Sequence, residues 1–180
     1  MEKYISLLRG INLGSHHKIN MVDLKNLLAD NGLQHVRTYI QSGNLVYATK
    51  KETISKLNEK IHSLIKDKYN FDVPVFTLTL AQLKEIKAAN PFSNDSEKNP
   101  AYLHVTFLSD APLLENIEKL NTLDFMPDEW AIEDHAMYLY CPNGYGNTKL
   151  SAAFLERKLK ISTTTRNWKT TNELIRLAEQ

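Results

Sequence analysis

The predicted order of strands and helices repeats once along the chain, and this repetition is the strongest constraint on the fold. In residues 1–90 the order is strand, helix, strand, strand, helix, strand, followed by a short helix. The same order returns in residues 91–180 and ends in a C-terminal helix. The halves share no detectable sequence identity, so the repeat is one of topology. We predict an α+β protein of two tandem ferredoxin-like (βαββαβ, α-β plait) halves with antiparallel sheets and a C-terminal helix.

Hydrophobic periodicity and turn residues place the elements of the first half, residues 1–90. A strand is predicted over 3–9, because aromatic and β-branched residues precede Gly10. A helix is predicted after Asn20, a typical N-cap, because apolar side chains then recur at helical spacing. The remaining predictions are a hairpin of strands 35–40 and 44–49, a helix behind the Thr49-x-x-Glu52 capping box, a strand over 73–79 and a helix over 81–90.

The second half, residues 91–180, opens with the polar, turn-rich segment 93–100. A strand is predicted over 101–108, and Pro112 suits the first turn of the helix that follows. The remaining predictions are a hairpin of 129–134 and 136–141 about His135, a helix over 149–159, a strand over 161–165 and a C-terminal helix behind the Thr170-x-x-Glu173 capping box.

Charge and cysteine content restrict the classes of function. The 22 basic and 21 acidic side chains leave a formal net charge of +1. This balance disfavours a general nucleic-acid or anionic-membrane binder, which usually carries a visible excess of positive charge. Cys141 is the only cysteine, so no internal disulfide forms, which favours a reducing compartment. Because no signal peptide or membrane-length apolar stretch is seen, we predict a cytoplasmic location and no membrane partner.

The predicted topology brings polar residues together at one end of each half. In the first half, the loop after the first strand and the hairpin turn share an end, since the first two strands run in the same direction. That end carries Arg9, Asn12, Lys18, Gln41, Ser42 and Asn44. In the second half, the loop 142–148 and the segment 166–169 share an end. That end carries Tyr145, Lys149, Arg166, Asn167 and Trp168.

The segment RGINLGSHHKIN, residues 9–20, is a candidate anion-binding loop. It matches neither the Walker A loop nor the dinucleotide fingerprint. Its glycines nevertheless leave backbone N–H groups free to turn inward, and a helix N-terminus, which attracts anions, lies just beyond. Arg9 and Lys18 can supply full positive charges. The alternative is that Gly10 and Gly14 only allow left-handed backbone in a long connection.

A second candidate ligand site is TTTRNWKT, residues 163–170. An arginine such as Arg166 can grip phosphate or carboxylate in two places, and the indole of Trp168 can stack on a base or sugar ring. Tyr145 and Lys149 are expected nearby. The alternative is that Trp168 fills the edge of the core and Arg166 pairs with an acid such as Glu156.

No catalytic residue, metal site or cofactor is assigned. Ser42 has no neighbouring base in sequence, and the G-x-S-x-G elbow is absent. The adjacent His16 and His17 could join Asp23 at a metal, but the sequence has no cluster with the spacing of known metal sites. Cys141 ends an apolar strand, which favours a buried, inert thiol over a nucleophile.

Four motifs resemble an uncharacterised bacterial family, catalogued as domain of unknown function 1697. They are LLRGINLG, RTYIQSGNLVY, KLSAAFLERKL and TTTRNW, and the similarity runs from Met1 to the C-terminal helix. The resemblance implies two α-β plaits in tandem, in agreement with the pattern above. It implies no reaction, ligand or catalytic residue. The chain departs from typical members at Ser15-His16-His17, where they carry a second glycine and a polar residue.

Three functions are compatible with these residues. The first is a cytosolic protein that binds a small anionic ligand, for example a phosphorylated one, through its glycine-containing loops and Arg166. The second is a single-stranded nucleic-acid module, since ferredoxin-like sheets often present aromatics to RNA. Its RNP1 signature is absent, although tyrosines lie on the predicted strands at positions 39, 47, 102, 138 and 140. The third is a protein-interaction scaffold, either a monomer or a homodimer that pairs exposed sheet edges.

Overall fold

The computed structural model describes residues 1–180, and the chain divides into two units. Unit 1 contains Met1–Lys84 and Glu173–Gln180, and unit 2 contains Glu85–Asn172. Each unit holds one four-stranded antiparallel sheet. No helix of the chain combines the length and the apolar character needed to cross a lipid bilayer.

Unit 1 has the predicted order of elements. They are β1 (Glu2–Leu8), α1 (Met21–Asp30), β2 (Gln34–Tyr39), β3 (Asn44–Thr49), α2 (Ile54–Tyr69), β4 (Val75–Thr79) and the first residues of α3 (Leu80–Ala88). The strands lie in the order β2-β3-β1-β4. In α1 the side chain of Asn20 accepts hydrogen bonds from the backbone N–H groups of Val22 and Asp23, as expected of an N-cap.

Unit 2 repeats that order. Its elements are β5 (Leu103–Leu108), α4 (Leu114–Asn121), β6 (Glu129–Glu133), β7 (Ala136–Tyr140), α5 (Ala152–Leu159) and β8 (Thr163–Asn167), followed by α6 (Trp168–Glu179). The strands lie in the order β6-β7-β5-β8, the counterpart of the order in unit 1. The predicted α+β class, with tandem halves, antiparallel sheets and a C-terminal helix, is therefore confirmed.

In three helices a residue other than the predicted one supplies the cap. In α2 the hydroxyl of Thr53, rather than that of Thr49 in the predicted capping box, accepts the N–H of Lys56, and the helix begins at Ile54. Helix α5 begins at Ala152 rather than Lys149, since the hydroxyl of Ser151 accepts the N–H of Phe154. Helix α6 begins at Trp168, before the predicted capping box. The side chain of Asn167 accepts the N–H of Thr170 at 2.8 Å, so Asn167 occupies the capping role.

The unit boundaries differ from the predicted division at residues 90 and 91. Unit 2 begins at Glu85, within α3, and the end of α6 belongs to unit 1. The reason lies in Arg37 of β2, whose guanidinium donates hydrogen bonds to the carbonyl of Leu177 and the side chain of Gln180. A salt bridge of 2.6 Å between Lys84 and Glu179 further fixes the end of α6 within unit 1.

The sheet of unit 1 buries both of its faces. On the face toward α1 and α2, Tyr4, Leu8, Leu45 and Tyr47 join the main apolar core. The opposite face, which we call the outer face, carries the alternate residues of the same strands, and these are also buried, among them Ile5, Leu7 and Val46.

The sheet of unit 2 is arranged similarly. Its helix-facing core includes Leu108, Met137, Leu139, Leu155 and Leu159. On the outer face Val105, Phe107 and Tyr138 are buried. The hydroxyl of Tyr138 donates to the carbonyl of Ile86 in α3 at 2.8 Å, and burial raises the pKa of this tyrosine to about 12.

Removal of one hydroxyl should measure how much the buried hydrogen-bond network of unit 1 contributes to the free energy of unfolding. The hydroxyl of Ser6 lies 2.9 Å from that of Tyr47 and 2.7 Å from that of Thr77. We expect Tyr47→Phe to lower the free energy of unfolding by about 1 kcal/mol, the usual net value of one buried hydrogen bond. The thermal midpoint, followed by circular dichroism, should fall by about 2–4 °C. Tyr39→Phe, which removes a hydroxyl without a hydrogen bond, is the control. Equal midpoints for both variants would contradict a stabilising network.

Candidate functional site

The loop after β1 adopts an unusual concentration of left-handed backbone. Gly10, Asn12, Gly14 and His17 have φ angles of 71°, 54°, 55° and 46°. Glycine adopts this region freely, whereas other residues pay a conformational penalty there. A strained conformation at Asn12 and His17 persists only if surrounding interactions impose it, and such residues often cluster at functional sites.

The side chain of Asn12 imposes this conformation. Its amide oxygen accepts the N–H of Ile19 at 2.9 Å, while its amide nitrogen donates to the carbonyls of Ile19 and Gln41 at 3.1 and 2.8 Å. These bonds close the loop on itself and attach it to the turn between β2 and β3. The predicted proximity of residues 10–20 and 41–43 is therefore seen. Asn12 itself, chosen as a candidate ligand contact, acts within the structure as the residue that shapes the loop.

A groove of about 580 Å³ lies between the loop and the turn. We call it the loop groove, and its lining residues are Asn12, Lys18, Ile19, Asn20 and Gln41. Lys18 is exposed, and its ammonium has no acidic partner. The first N–H groups of α1 are already capped by Asn20. The positive charge of the loop groove therefore comes from Lys18 more than from the helix N-terminus.

His17, one of the two adjacent histidines of the loop, makes packing contacts within unit 1. The ring of His17 packs on Phe71 with centroids 4.8 Å apart, and its Nδ1 lies 3.2 Å from the carbonyl oxygen of Gly10. No group of three His, Cys, Asp or Glu side chains in the chain is arranged to hold a metal ion. These contacts give His17 a packing role in the loop.

The other candidates of unit 1 shape the hairpin turn. Asn44 is fully buried, and its amide donates to the carbonyl of Tyr39 at 3.0 Å and to the hydroxyl of Ser42 at 2.9 Å. The backbone N–H of Arg9 donates to the carbonyl of Pro74 at 3.0 Å, and Arg9 makes at least one further interaction. The hydroxyl of Ser42 thus serves the turn by accepting the amide of Asn44.

In unit 2, Arg166 is a buried cation on the outer face of the sheet. It lies opposite Val105 in the register of β5 and β8 and is only 9% exposed. Its Nη1 donates to the hydroxyl of Thr164 at 3.0 Å and to the carbonyl of Thr165 at 2.9 Å. Burial lowers the pKa of Arg166 to about 10, with Tyr145 acting in the opposite direction. The guanidinium therefore remains charged at neutral pH.

Near Arg166, Tyr145 forms a second cluster with a residue that sequence reasoning missed. The rings of Tyr145 and His104 stack with centroids 4.7 Å apart. His104 pairs with Asn167 across β5 and β8, and burial lowers the pKa of its imidazole. The hydroxyl of Tyr145 accepts the N–H of Ala152 at the start of α5. The strand period of two, applied to residues 101–108, could have placed His104 on the same face as Leu108.

The remaining candidates of unit 2 are less closely grouped. Lys149 is exposed, Trp168 is half-buried as the first residue of α6, and Asn167 caps that helix. Cys141 is buried, which raises the pKa of its thiol to about 11. At neutral pH this thiol is protonated, so it lacks the thiolate that nucleophilic chemistry requires.

Two glycine substitutions separate backbone strain from close packing at the loop groove. A Cβ on Gly43 would lie 2.7 Å from Leu8 Cβ and 2.8 Å from Ile11 Cδ1, whereas a Cβ on Gly10 meets nothing within 4 Å. The two glycines have φ angles of 80° and 71°. Both alanine variants should lose about 1–2 kcal/mol to left-handed backbone, and Gly43→Ala about 1–3 kcal/mol more to overpacking. Urea unfolding measures the difference. Equal losses would show that Gly43 is needed only for its φ angle.

Sequence and structure comparisons relate the chain to a described family and to a solved structure. It is similar in fold to the conserved bacterial protein SP0830 from Streptococcus pneumoniae, with 23% identity, a TM-score of 0.77 and 98% of each chain covered. No curated protein matches the chain significantly in sequence. The profile of a family described as protein of unknown function (DUF1697) matches residues 1–138. Because that match covers most of the chain and agrees with the motifs in the sequence, the protein belongs to the DUF1697 family.

Proposed function

We propose that the protein binds a small anionic ligand, such as a phosphorylated metabolite, in the loop groove of unit 1. The observation that carries this proposal is the placement of Lys18. Its unpaired ammonium stands on a groove whose walls, the loop 10–20 and the turn 41–43, are held together by Asn12. A free cation beside a preorganised concave surface is a suitable place for an anion.

The conformation of the loop supports this proposal. Asn12 and His17 both hold left-handed backbone, and an unstrained connection between β1 and α1 would not need it. Three hydrogen bonds of Asn12 offset this penalty. Preorganisation of this kind lowers the entropy that ligand binding would otherwise cost.

Arg166 is a second candidate anion contact, considered within unit 2 alone. An arginine buried this deeply is expensive to desolvate, so its charge must serve a purpose in packing or in binding. Tyr145 interacts electrostatically with Arg166, while His104, on which its ring stacks, lies on the helix-facing side of the sheet. In our proposal Arg166 and Tyr145 form a site that is separate from the loop groove and is tested separately.

The nucleic-acid alternative receives less support. Tyr47 and Tyr138 are each only 1% exposed, so neither ring can stack on a base. Tyr140 packs against the ammonium of Lys98, 4.6 Å from its ring centroid. Tyr39, in unit 1, and Tyr102 and Tyr140, in unit 2, keep some accessible surface. Because Tyr102 precedes β5, each sheet carries only one of these partly accessible rings, fewer than the two or three with which an RNA-binding sheet stacks on bases.

We further propose that each unit is a ferredoxin-like repeat and that the protein acts in the bacterial cytoplasm. The matching strand orders of the two sheets support the repeat. The single buried thiol, Cys141, agrees with a reducing compartment. The similar fold of a conserved protein from Streptococcus pneumoniae agrees with a bacterial role.

Thermal unfolding with a ligand panel tests the loop groove. Nucleotides, sugar phosphates, amino acids and short RNA would be tested on wild type, Lys18→Ala, Arg166→Lys and the control Lys25→Ala, an exposed lysine of α1. A ligand at about 100 times its Kd should stabilise wild type by roughly 2.7 kcal/mol, which raises the midpoint by about 5–10 °C. If Lys18→Ala weakens binding by about tenfold, that rise should fall by about half.

The control variants define which results would contradict binding in the loop groove. Lys25→Ala should keep the full rise in the midpoint. An equal rise in wild type and Lys18→Ala would contradict binding in the loop groove, and a rise lost only in Arg166→Lys would move the site to unit 2. Binding of short RNA that collapses steeply with added salt would instead support the nucleic-acid alternative.

A further inference from the structure

A cavity of about 200 Å³ lies on the outer face of the unit 1 sheet, away from the loop groove. Apolar lining comes from Val46 and Ala48 of β3 and from Leu177 of α6, while Lys3, His35 and Arg37 supply polar side chains. All of these residues belong to unit 1. Lys3, at the start of β1, pairs with Ala48, and Arg37 of β2 pairs with Val46, so the cavity spans three neighbouring strands.

A β-bulge provides the third polar side chain. The register of β2 and β3 shifts between Gln34 and Arg37, which leaves one extra residue on β2. His35 lies in this bulge with a φ angle of 53°. Val36 still packs into the helix-facing core, while His35 lines the cavity. Bulges redirect side chains in this way and are common beside functional sites.

The cavity collects positively charged side chains, and no Asp or Glu side chain lines it. Gln180, the last residue of the sequence, also lines the cavity, and its side-chain oxygen accepts a hydrogen bond from Arg37. The neighbouring Glu2 accepts a hydrogen bond from Tyr4, whose ring lies in the helix-facing core, and Glu179 pairs with Lys84. The side chains of Lys3 and His35 have no hydrogen bond or ion pair. Arg37 uses only Nη1 toward Leu177 and Gln180, so its Nε and Nη2 remain available.

We propose that this cavity binds a small organic carboxylate with a short apolar chain. The guanidinium of Arg37 and the ammonium of Lys3 would bind the carboxylate through charge-assisted hydrogen bonds. The chain would lie on Val46, Ala48 and Leu177. The cavity has the volume of about seven liquid water molecules, which suits a ligand of about seven or eight non-hydrogen atoms. This ligand class differs from that of the loop groove, where Lys18 is the only charged side chain in the lining.

The arrangement explains one feature that fold stability alone does not require, since a regular β2 strand would avoid the left-handed backbone of His35. Because Arg37 is held by two hydrogen bonds to α6, its remaining donors are preorganised for a carboxylate. The apolar floor adds a preference for a carboxylate with a carbon chain over inorganic phosphate.

Titration with sodium hexanoate, followed by amide chemical shifts at constant ionic strength, tests this site. We expect saturable shifts at His35, Ala48 and Leu177, with a Kd on the order of 1 mM, as suits a ligand of this size. Hexanol and inorganic phosphate should each bind at least about tenfold more weakly than hexanoate. Hexanol keeps the carbon chain but lacks the negative charge, and phosphate keeps the charge but lacks the chain.

Substitutions then assign the roles of the cations. Lys3→Gln and Arg37→Gln should each raise the Kd for hexanoate by about tenfold, the loss of one charge-assisted hydrogen bond. Lys25→Gln, on α1, should leave the Kd unchanged. Because Arg37 also holds the end of α6, Lys3→Gln is the decisive variant; its side chain makes no bond that the fold could need.

Several results would overturn the proposal. These are an absence of saturation by about 20 mM hexanoate, equal affinity for hexanol, equal affinity for phosphate, or an unchanged Kd in Lys3→Gln. Saturable shifts confined to Lys18 and its neighbours would also overturn it, while leaving the loop groove as an anion site. Failure of the loop groove in its own test has no effect on the shifts expected at His35 and Leu177, so the two proposals fail independently.

Discussion

The side-chain amide of Asn12 is the interaction on which the proposed site depends. Its hydrogen bonds to Ile19 and Gln41 join the loop after β1 to the turn between β2 and β3. Without them, the left-handed backbone at Asn12 and His17 would have no compensation, and Lys18 would lie on a mobile loop instead of a fixed groove. Gly43 makes the same junction possible from the other side, because its missing side chain leaves room for Leu8 and Ile11.

A second constraint is that each sheet buries both faces. In unit 1 the outer face carries Ile5, Leu7 and Val46, and in unit 2 it carries Val105 and Phe107. This burial removes the exposed sheet surface that many ferredoxin-like proteins use to bind nucleic acid. Binding sites are consequently expected at the ends of the strands and at gaps beside the covering elements. The loop groove and the cavity at Arg37, for which we propose ligands, lie at places of these two kinds.

The alternating and helical spacings of apolar residues were sufficient to predict the fold, because the strands and helices of each half follow them with few exceptions. They also placed residues 10–20 next to 41–43, since topology alone decides which loops share an end. The role of Asn12 could not be predicted, because the same amide can bind a ligand or its own backbone. The position of His35 in a β-bulge could not be predicted, because a bulge depends on the register between strands. The start of α6 was misplaced because Asn167 and Thr170 are both good caps, and tertiary packing selects between them.

The central claim is that the loop groove binds an anion through Lys18. The most direct test is a titration of the wild-type protein with inorganic phosphate and a sugar phosphate, followed by amide chemical shifts at constant ionic strength. The account predicts saturable shifts at Lys18, Ile19, Asn20 and Gln41, the residues that line the groove together with Asn12. Shifts that do not saturate, or that saturate only at residues outside the loop and the turn, would contradict it.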